Sequence, residues 1–265
     1  MTSLALALGD GAVVAKRNLI KIRRVPELLI WTTMSPIMFV LLFGYVFGSS
    51  IDIAGGNYRE FFIAGVFAQT VIFGASGTGV GMAEDMTKGI IDRFRSLPMA
   101  RSAVLVGRTG SDILYNTISI VVMSLTGLLV GWRIRTSALE AIGGFLLLLL
   151  FAYAISWIMA YVGLKVASVE VVQNASFMFI FPMTFIANTF VDSAQLPGPL
   201  QTFAEWNPVS SVAQAAREAF GNTIGFQPDT WSLQNPILYS LIWIGIILAI
   251  FIPLSIRQYN KATTK

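Results

Sequence analysis

The chain has neither cysteine nor histidine. The first absence excludes disulfides, thiolate metal sites and cysteine nucleophiles. The second removes Ser-His and Cys-His catalysis, imidazole metal ligation and histidine proton relays. Charge is scarce too: 12% of residues are Asp, Glu, Lys or Arg against 55% hydrophobic, too apolar for a protein whose whole surface meets water. In lipid an unpaired backbone amide costs several kcal/mol, so long apolar runs must form helices or a closed barrel. Barrel strands alternate apolar and polar residues over about ten positions, whereas Gly143 to Met159 is apolar on every face. An all-α membrane protein is expected.

A span needs about 20 apolar residues, and six segments reach that length: 28–50, 61–83, 113–131, 141–164, 171–190 and 237–256. The fifth is the most polar, with Gln173, Asn174 and Asn188, and Pro182 interrupts its hydrogen-bond ladder as Pro36 does in the first. With both termini cytoplasmic, 14 of the 18 basic residues face the cytoplasm and only Arg59, Arg133, Arg135 and Arg217 lie outside, the asymmetry that sets orientation. The net charge of +4 therefore reads as a topology signal beside anionic lipid headgroups, and no nucleic-acid partner is expected. The patch Leu4 to Leu8 lacks a positive leader and is closed by Asp10, so it does not read as a signal peptide.

Three segments outside the spans carry pattern. Ala12, Ala15, Leu19 and Ile22 recur at helical spacing opposite Lys16, Arg17 and Lys21, which predicts an amphipathic helix in the cytoplasmic interface. In the cytoplasmic loop 84–108, Met86, Ile90, Phe94 and Leu97 form one apolar stripe, while Glu84, Asp85, Lys88, Asp92 and Arg95 face elsewhere and Pro98 ends the helix. The external stretch 192–235 is too long for a plain loop and predicts short helices dipping into the outer leaflet, anchored by Trp206 and Trp231. No repeat or linker marks a second domain, so residues 1–265 read as one membrane domain.

The run Gly74, Gly77, Gly79 and Gly81 is no nucleotide loop: no Gly-Lys-Ser/Thr follows, no strand precedes it, and small residues within a span let helices approach. The chain therefore has no ATP site and binds no cofactor or metal of its own. No span centre carries an acid or base. The nearest is Asp112, which shares a face with Arg108 and Asn116; a structural Arg108–Asp112 pair is the first reading and a gate or substrate entry the second. Phe39, Phe43, Phe73, Phe177 and Phe181 could line a path for an amphipathic substrate, or simply pack or face lipid.

The order of residues in the loop is the most specific signal: Glu84 and Asp85, Lys88 and Gly89, the cluster Asp92, Arg93, Phe94 and Arg95, then Pro98 and a closing Arg108. It resembles the cytoplasmic loop of permease subunits of type-2 ATP-binding-cassette exporters, daunorubicin-resistance-type branch. Tyr45-Val-Phe-Gly48 and Glu205-Trp-Asn-Pro208 also look like that family. The resemblance implies that the loop is a coupling helix seated on a separate ATP-binding subunit, which carries the ATP and Mg. It further implies assembly with a second permease copy or homologue in a bacterial plasma membrane. It implies no enzymatic activity in this chain, and export of a drug or antibiotic or, by the same machinery, of a cell-envelope lipid, glycolipid or polysaccharide. An amphipathic helix resting on lipid would share the loop's pattern. A self-contained channel or carrier would need an ion-binding cluster or inverted repeats, and the sequence offers neither.

Overall fold

A computed structural model describes residues 3–24, 26–46, 58–95, 100, 102–166, 168–223 and 228–262, and every regular element among them is helical. In chain order these are α1 (Ser3–Arg24), α2 (Pro26–Val46), α3 (Tyr58–Thr87), α4 (Ile90–Arg95), α5 (Ala103–Val130), α6 (Ala138–Lys165) and α7 (Val169–Phe185). A 3-10 turn (Ser193–Gln195) follows, then α8 (Gly198–Trp206), α9 (Pro208–Phe220), α10 (Trp231–Gln234) and α11 (Pro236–Ala262). Among the described residues α3, α5, α6 and α11 are long and apolar enough to cross a membrane, and α2 carries a shorter apolar stretch, Met34–Tyr45.

Local chemistry sets the helix ends. Ser137 and Glu140 form a capping box that starts α6, and Gly131, at φ 102, closes α5 in a left-handed turn. Asn207 caps α9 by accepting from Val209 N, Pro208 occupies the first helical position, and Gly221 at φ 71 ends the helix. The Asn-Pro pair is thus a start signal with a mechanism.

α3 is the central helix, flanked by α2, α5, α6, α7 and α9. Its backbone meets that of α6 where Gly79 and Gly163 face each other; a Cβ on Gly79 would stand 2.8 Å from the Met159 carbonyl, and one on Gly163 would strike Gly79 O. Nearer the other end Phe67, Trp132, Phe145 and Phe220 pack into an aromatic box with centroid separations of 4.7 to 5.7 Å. The Trp132 indole there donates to Asn222 Oδ1 at 2.7 Å, so burial leaves it partnered. Beside the box, Arg135 grips Glu60 bidentately, with Nη2 2.7 Å from Oε1. That hydrogen bond holds the guanidinium above its ordinary pKa.

Four expectations need correction. α7 is 17 residues long, about 25 Å, and stops at Phe185 instead of running to Phe190, because Pro182 weakens its last turns and Asn207 Nδ2 takes the Met183 carbonyl at 2.7 Å. α5 begins at Ala103, ten residues before the expected span, so Arg108, expected to close the loop, lies on one long helix with Asp112. α1 buries Gly11, Val14 and Asn18 against α5, not the face of Ala12 and Ala15; Gly11 and Gly107 allow the close approach, and Ala12 is exposed. The predicted loop helix is broken at Gly89, whose φ of 64 separates α3 from the six-residue α4.

Candidate functional site

A cavity of about 670 Å³ lies between α2, α3, α5 and α7. Its α3 wall is short of side chains. Gly74, Gly77 and Gly81 recur at helical spacing on the face opposite Gly79, so the glycine run does two jobs: one residue packs α3 on α6, and three open space on the other side. The Arg108 guanidinium lies against Gly81 and the Asn116 amide against Gly74, while a Cβ on Gly77 would meet nothing within 4 Å.

One part of the wall is polar. Asp112, buried at 4% exposure, accepts from Thr78 Oγ1, and Asn116 Nδ2 donates to the Asp112 backbone carbonyl at 3.0 Å. Arg108 Nη2 donates to Gly77 O at 3.0 Å. The expected Arg108–Asp112 ion pair is therefore not made: helical spacing places the two side chains on one face, but each takes a partner from α3 across the gap. Arg108 Nε and Asn116 Oδ1 are buried without a partner.

The rest is aromatic. Phe73 faces Phe177 at 6.4 Å, and a ladder continues through Phe181, Phe185, Phe190 and Phe43 to Phe39 at centroid separations of 4.0 to 5.6 Å. Of the eight path residues singled out in the sequence, seven line the cavity; Phe43 does not, but stacks on Phe39, which does. Sequence reasoning missed Gln69, Thr70, Tyr115 and Ser119. Asp112, Tyr115, Asn116 and Ser119 are one polar stripe at helical spacing, so the face shared by Arg108, Asp112 and Asn116 extends further along the sequence than those three.

The segment expected to be cytoplasmic is built differently from its pattern. Glu84 and Asp85 sit in the last turn of α3. Glu84 Oε1 holds the Lys88 ammonium at 2.5 Å and keeps its pKa above the usual value. Asp85, expected to face away from the apolar stripe, is buried and bonded to Arg17 Nη2 of α1 at 2.9 Å. Phe94 packs inward with Ile91 on Met82, Val104 and Leu105, and the Arg17 guanidinium covers its ring at 5.0 Å. Lys88 and Arg93 are exposed. Pro98 and the side chains of Asp92 and Arg95 lie outside the described residues.

A buried cation sits on α9. Arg217 is wholly inaccessible, donates from Nε to Phe61 O at 3.0 Å and from Nη2 to Asn188 O at 2.6 Å, and stacks 3.6 Å above the Phe61 ring. The sequence placed it among the external basic residues and gave no hint of its burial.

Residues 12–220 match the ABC-2 type transporter family. The chain is 32% identical over 245 residues, 92% of its length and 84% of the relative's, to the daunorubicin resistance ABC transporter permease protein DrrB1 of Streptomyces coeruleorubidus. It is 23% identical over 232 residues, 86% of its length and 80% of the relative's, to the probable doxorubicin resistance ABC transporter permease protein DrrC of Mycobacterium tuberculosis. It is 21% identical over 215 residues, covering 80% and 74% of the two chains, to the putative transport permease ycf38 of Cyanophora paradoxa. A helical protein built around apolar spans, with a family match over most of its length, this chain belongs to the ABC-2 type transporter family.

Proposed function

We propose that this chain is the membrane subunit of an ATP-driven exporter that moves a hydrophobic or amphipathic, drug-like substrate outward across a bacterial inner membrane. The observation that carries the reading is the cavity: its aromatic wall and short polar stripe suit an amphipathic molecule, and two relatives are named for daunorubicin and doxorubicin resistance. In this reading the whole chain is one membrane domain of six spans, α2, α3, α5, α6, α7 and α11, with both ends cytoplasmic. α7 reaches full thickness together with the turn after Phe185. ATP and Mg belong to a separate ATPase subunit, and a second permease copy or homologue completes the assembly. The segment from Glu84 through Gly89 to Pro98 meets the ATPase. Lys88 and Arg93 contact it, while Asp85 and Phe94 fasten the segment to α1 and α5.

The test is gentle purification of the tagged chain from its host with an ATPase assay. A separate nucleotide-binding subunit should co-purify in near-equal amount, and hydrolysis should rise with an exported amphiphile; a chain that emerges alone and inactive would remove the exporter reading. Arg93→Glu is expected to lower stimulated hydrolysis by roughly tenfold or more without loss of membrane insertion. Unchanged stimulation would take the segment out of the ATPase contact. The absence of cysteine makes orientation testable without background. Asp229→Cys should react with an impermeant maleimide on intact cells and Lys88→Cys only after permeabilisation; the reverse pattern would invert the topology.

A further inference from the structure

Two neighbouring residues of α1, Arg17 and Asn18, link the segment that begins at Glu84 to the cavity wall. Arg17 Nη2 donates to Asp85 Oδ2 at 2.9 Å and to Asn18 Oδ1 at 3.0 Å, and its guanidinium covers the Phe94 ring. Asn18 Nδ2 donates to Ser111 Oγ at 3.1 Å, and Ser111 Oγ donates to the Arg108 carbonyl at 2.7 Å. The order of donors is forced. Arginine has no acceptor, so Asn18 turns its carbonyl to Arg17 and its amide to Ser111, which then spends its own hydrogen on Arg108. A continuous chain thus runs from Asp85 on α3 and Phe94 on α4 to α5. Asn18 and Arg108 both line the cavity, and the Arg108 side chain returns to α3 at Gly77 O.

The chain crosses a mechanical joint. α1 and α5 meet main chain to main chain, since a Cβ on Gly107 would stand 2.5 Å from Gly11 O, and helices so closely packed move together. α4, by contrast, is cut from α3 at Gly89, whose left-handed φ interrupts the helix, so a push on α4 is not carried along α3 as by a rigid rod. Arg17 is the point where α4, the end of α3 and the α1–α5 pair meet. A hydrogen-bonded network across such a joint couples its two sides, and the coupling is reciprocal in free energy.

We propose that Asn18 is a positioning residue that reports an occupied cavity to the ATPase-facing segment. It holds the α5 wall to Arg17, and Arg17 holds Asp85 and Phe94. An occupant that leans on Asn18 shifts Arg17 and with it the segment; a pull on the segment shifts Asn18 and the α5 wall. The proposal rests on the exporter reading and adds the side chains through which cavity and ATPase sense each other.

The experiment uses the chain with its co-purified ATPase subunit in nanodiscs and rhodamine 6G as the probe. The quantities read are basal hydrolysis, its stimulation by the probe, and probe affinity by fluorescence anisotropy with and without vanadate-trapped nucleotide. Ser111→Ala cuts the chain at a side chain that neither lines the cavity nor belongs to the segment. It should keep basal hydrolysis and nucleotide-free affinity within about twofold of the parent, while stimulation and the nucleotide-dependent change in affinity each fall at least about fivefold. Asn18→Leu should lose both couplings as well. Thr117→Ala removes another α5 hydroxyl, one bonded within its own helix to Ile113 O, and should change neither. A Ser111 hydroxyl that merely stabilised α5 would lower the Tm of Ser111→Ala and leave both couplings whole, which overturns the relay. A fall in basal hydrolysis as large as the fall in stimulation overturns it too. A parent that neither binds the probe nor responds to it removes the exporter reading and the relay together; a parent that responds, with Ser111→Ala responding alike, removes the relay alone.

Discussion

Gly77→Trp is expected to lower transport by an order of magnitude or more while leaving the protein inserted and thermally intact. Several glycines at the helix contacts leave no room for a side chain. At Gly65, Gly79 and Gly163 a Cβ would run into a facing main chain, and at Gly74 and Gly81 it would displace Asn116 or Arg108. Gly77 differs, since nothing lies within 4 Å of where its side chain would grow and that direction belongs to the cavity. Its φ is helical, and tryptophan is a better helix former than glycine, though a poorer one than alanine, so misfolding is not the expected route to failure. An indole placed there occupies space that a substrate body would need. The measurement is efflux of a fluorescent amphiphile from energised vesicles, paired with a melting curve of the purified variant. Lost efflux with an unchanged Tm places the cavity on the path, and normal efflux removes it.

Arg217→Leu is expected to act the opposite way, through stability. The guanidinium holds the carbonyls of Phe61 and Asn188, with Thr189 O at 3.3 Å, and so ties α3, the end of α7 and α9 together from inside. Leucine fills much of the volume but strands the Asn188 and Thr189 carbonyls, while Phe61 O keeps its place in the α3 ladder. Each stranded buried acceptor costs about 1–3 kcal/mol, and the face of Phe61 loses its cation besides. A total of several kcal/mol corresponds to a fall in Tm on the order of 10 °C. Arg217→Lys should recover only part of it, because one ammonium cannot span carbonyls that a planar fork bridges. Equal stability of the leucine variant and the parent would show that the buried cation holds nothing together.

These sites also mark what the sequence could and could not disclose. Hydropathy located the long helices α3, α5, α6 and α11, because a run apolar on every face has one physical meaning in lipid. The phenylalanines of the cavity were legible for a similar reason: aromatics at helical spacing on several spans converge when the spans pack. Pairings across helices were not legible. Arg108 and Asp112 are one turn apart in the sequence, and nothing there reveals that Gly77 O and Thr78 compete for them. The buried face of α1 was misread because Gly11 and Asn18 carry no hydropathy signal. Glycine admits Gly107 and Asn18 donates to Ser111 at 3.1 Å, so close approach and a hydrogen bond do what apolar periodicity was expected to do. Arg217 looked like any external cation, since burial beside carbonyls has no signature along the chain.

The bare α3 wall bears on how such proteins diverge. A glycine codon becomes alanine, serine or valine by one nucleotide change, and each step at position 77 would shrink the chamber by a small, graded amount from a Cβ that meets no neighbour. Positions 74 and 81 lack that freedom, because Asn116 and Arg108 already occupy their space. A lineage under pressure from a new toxic compound would therefore find its shortest adaptive route at one residue, adjusting which molecules fit while the scaffold, the α3–α6 contact and the polar stripe are inherited unchanged.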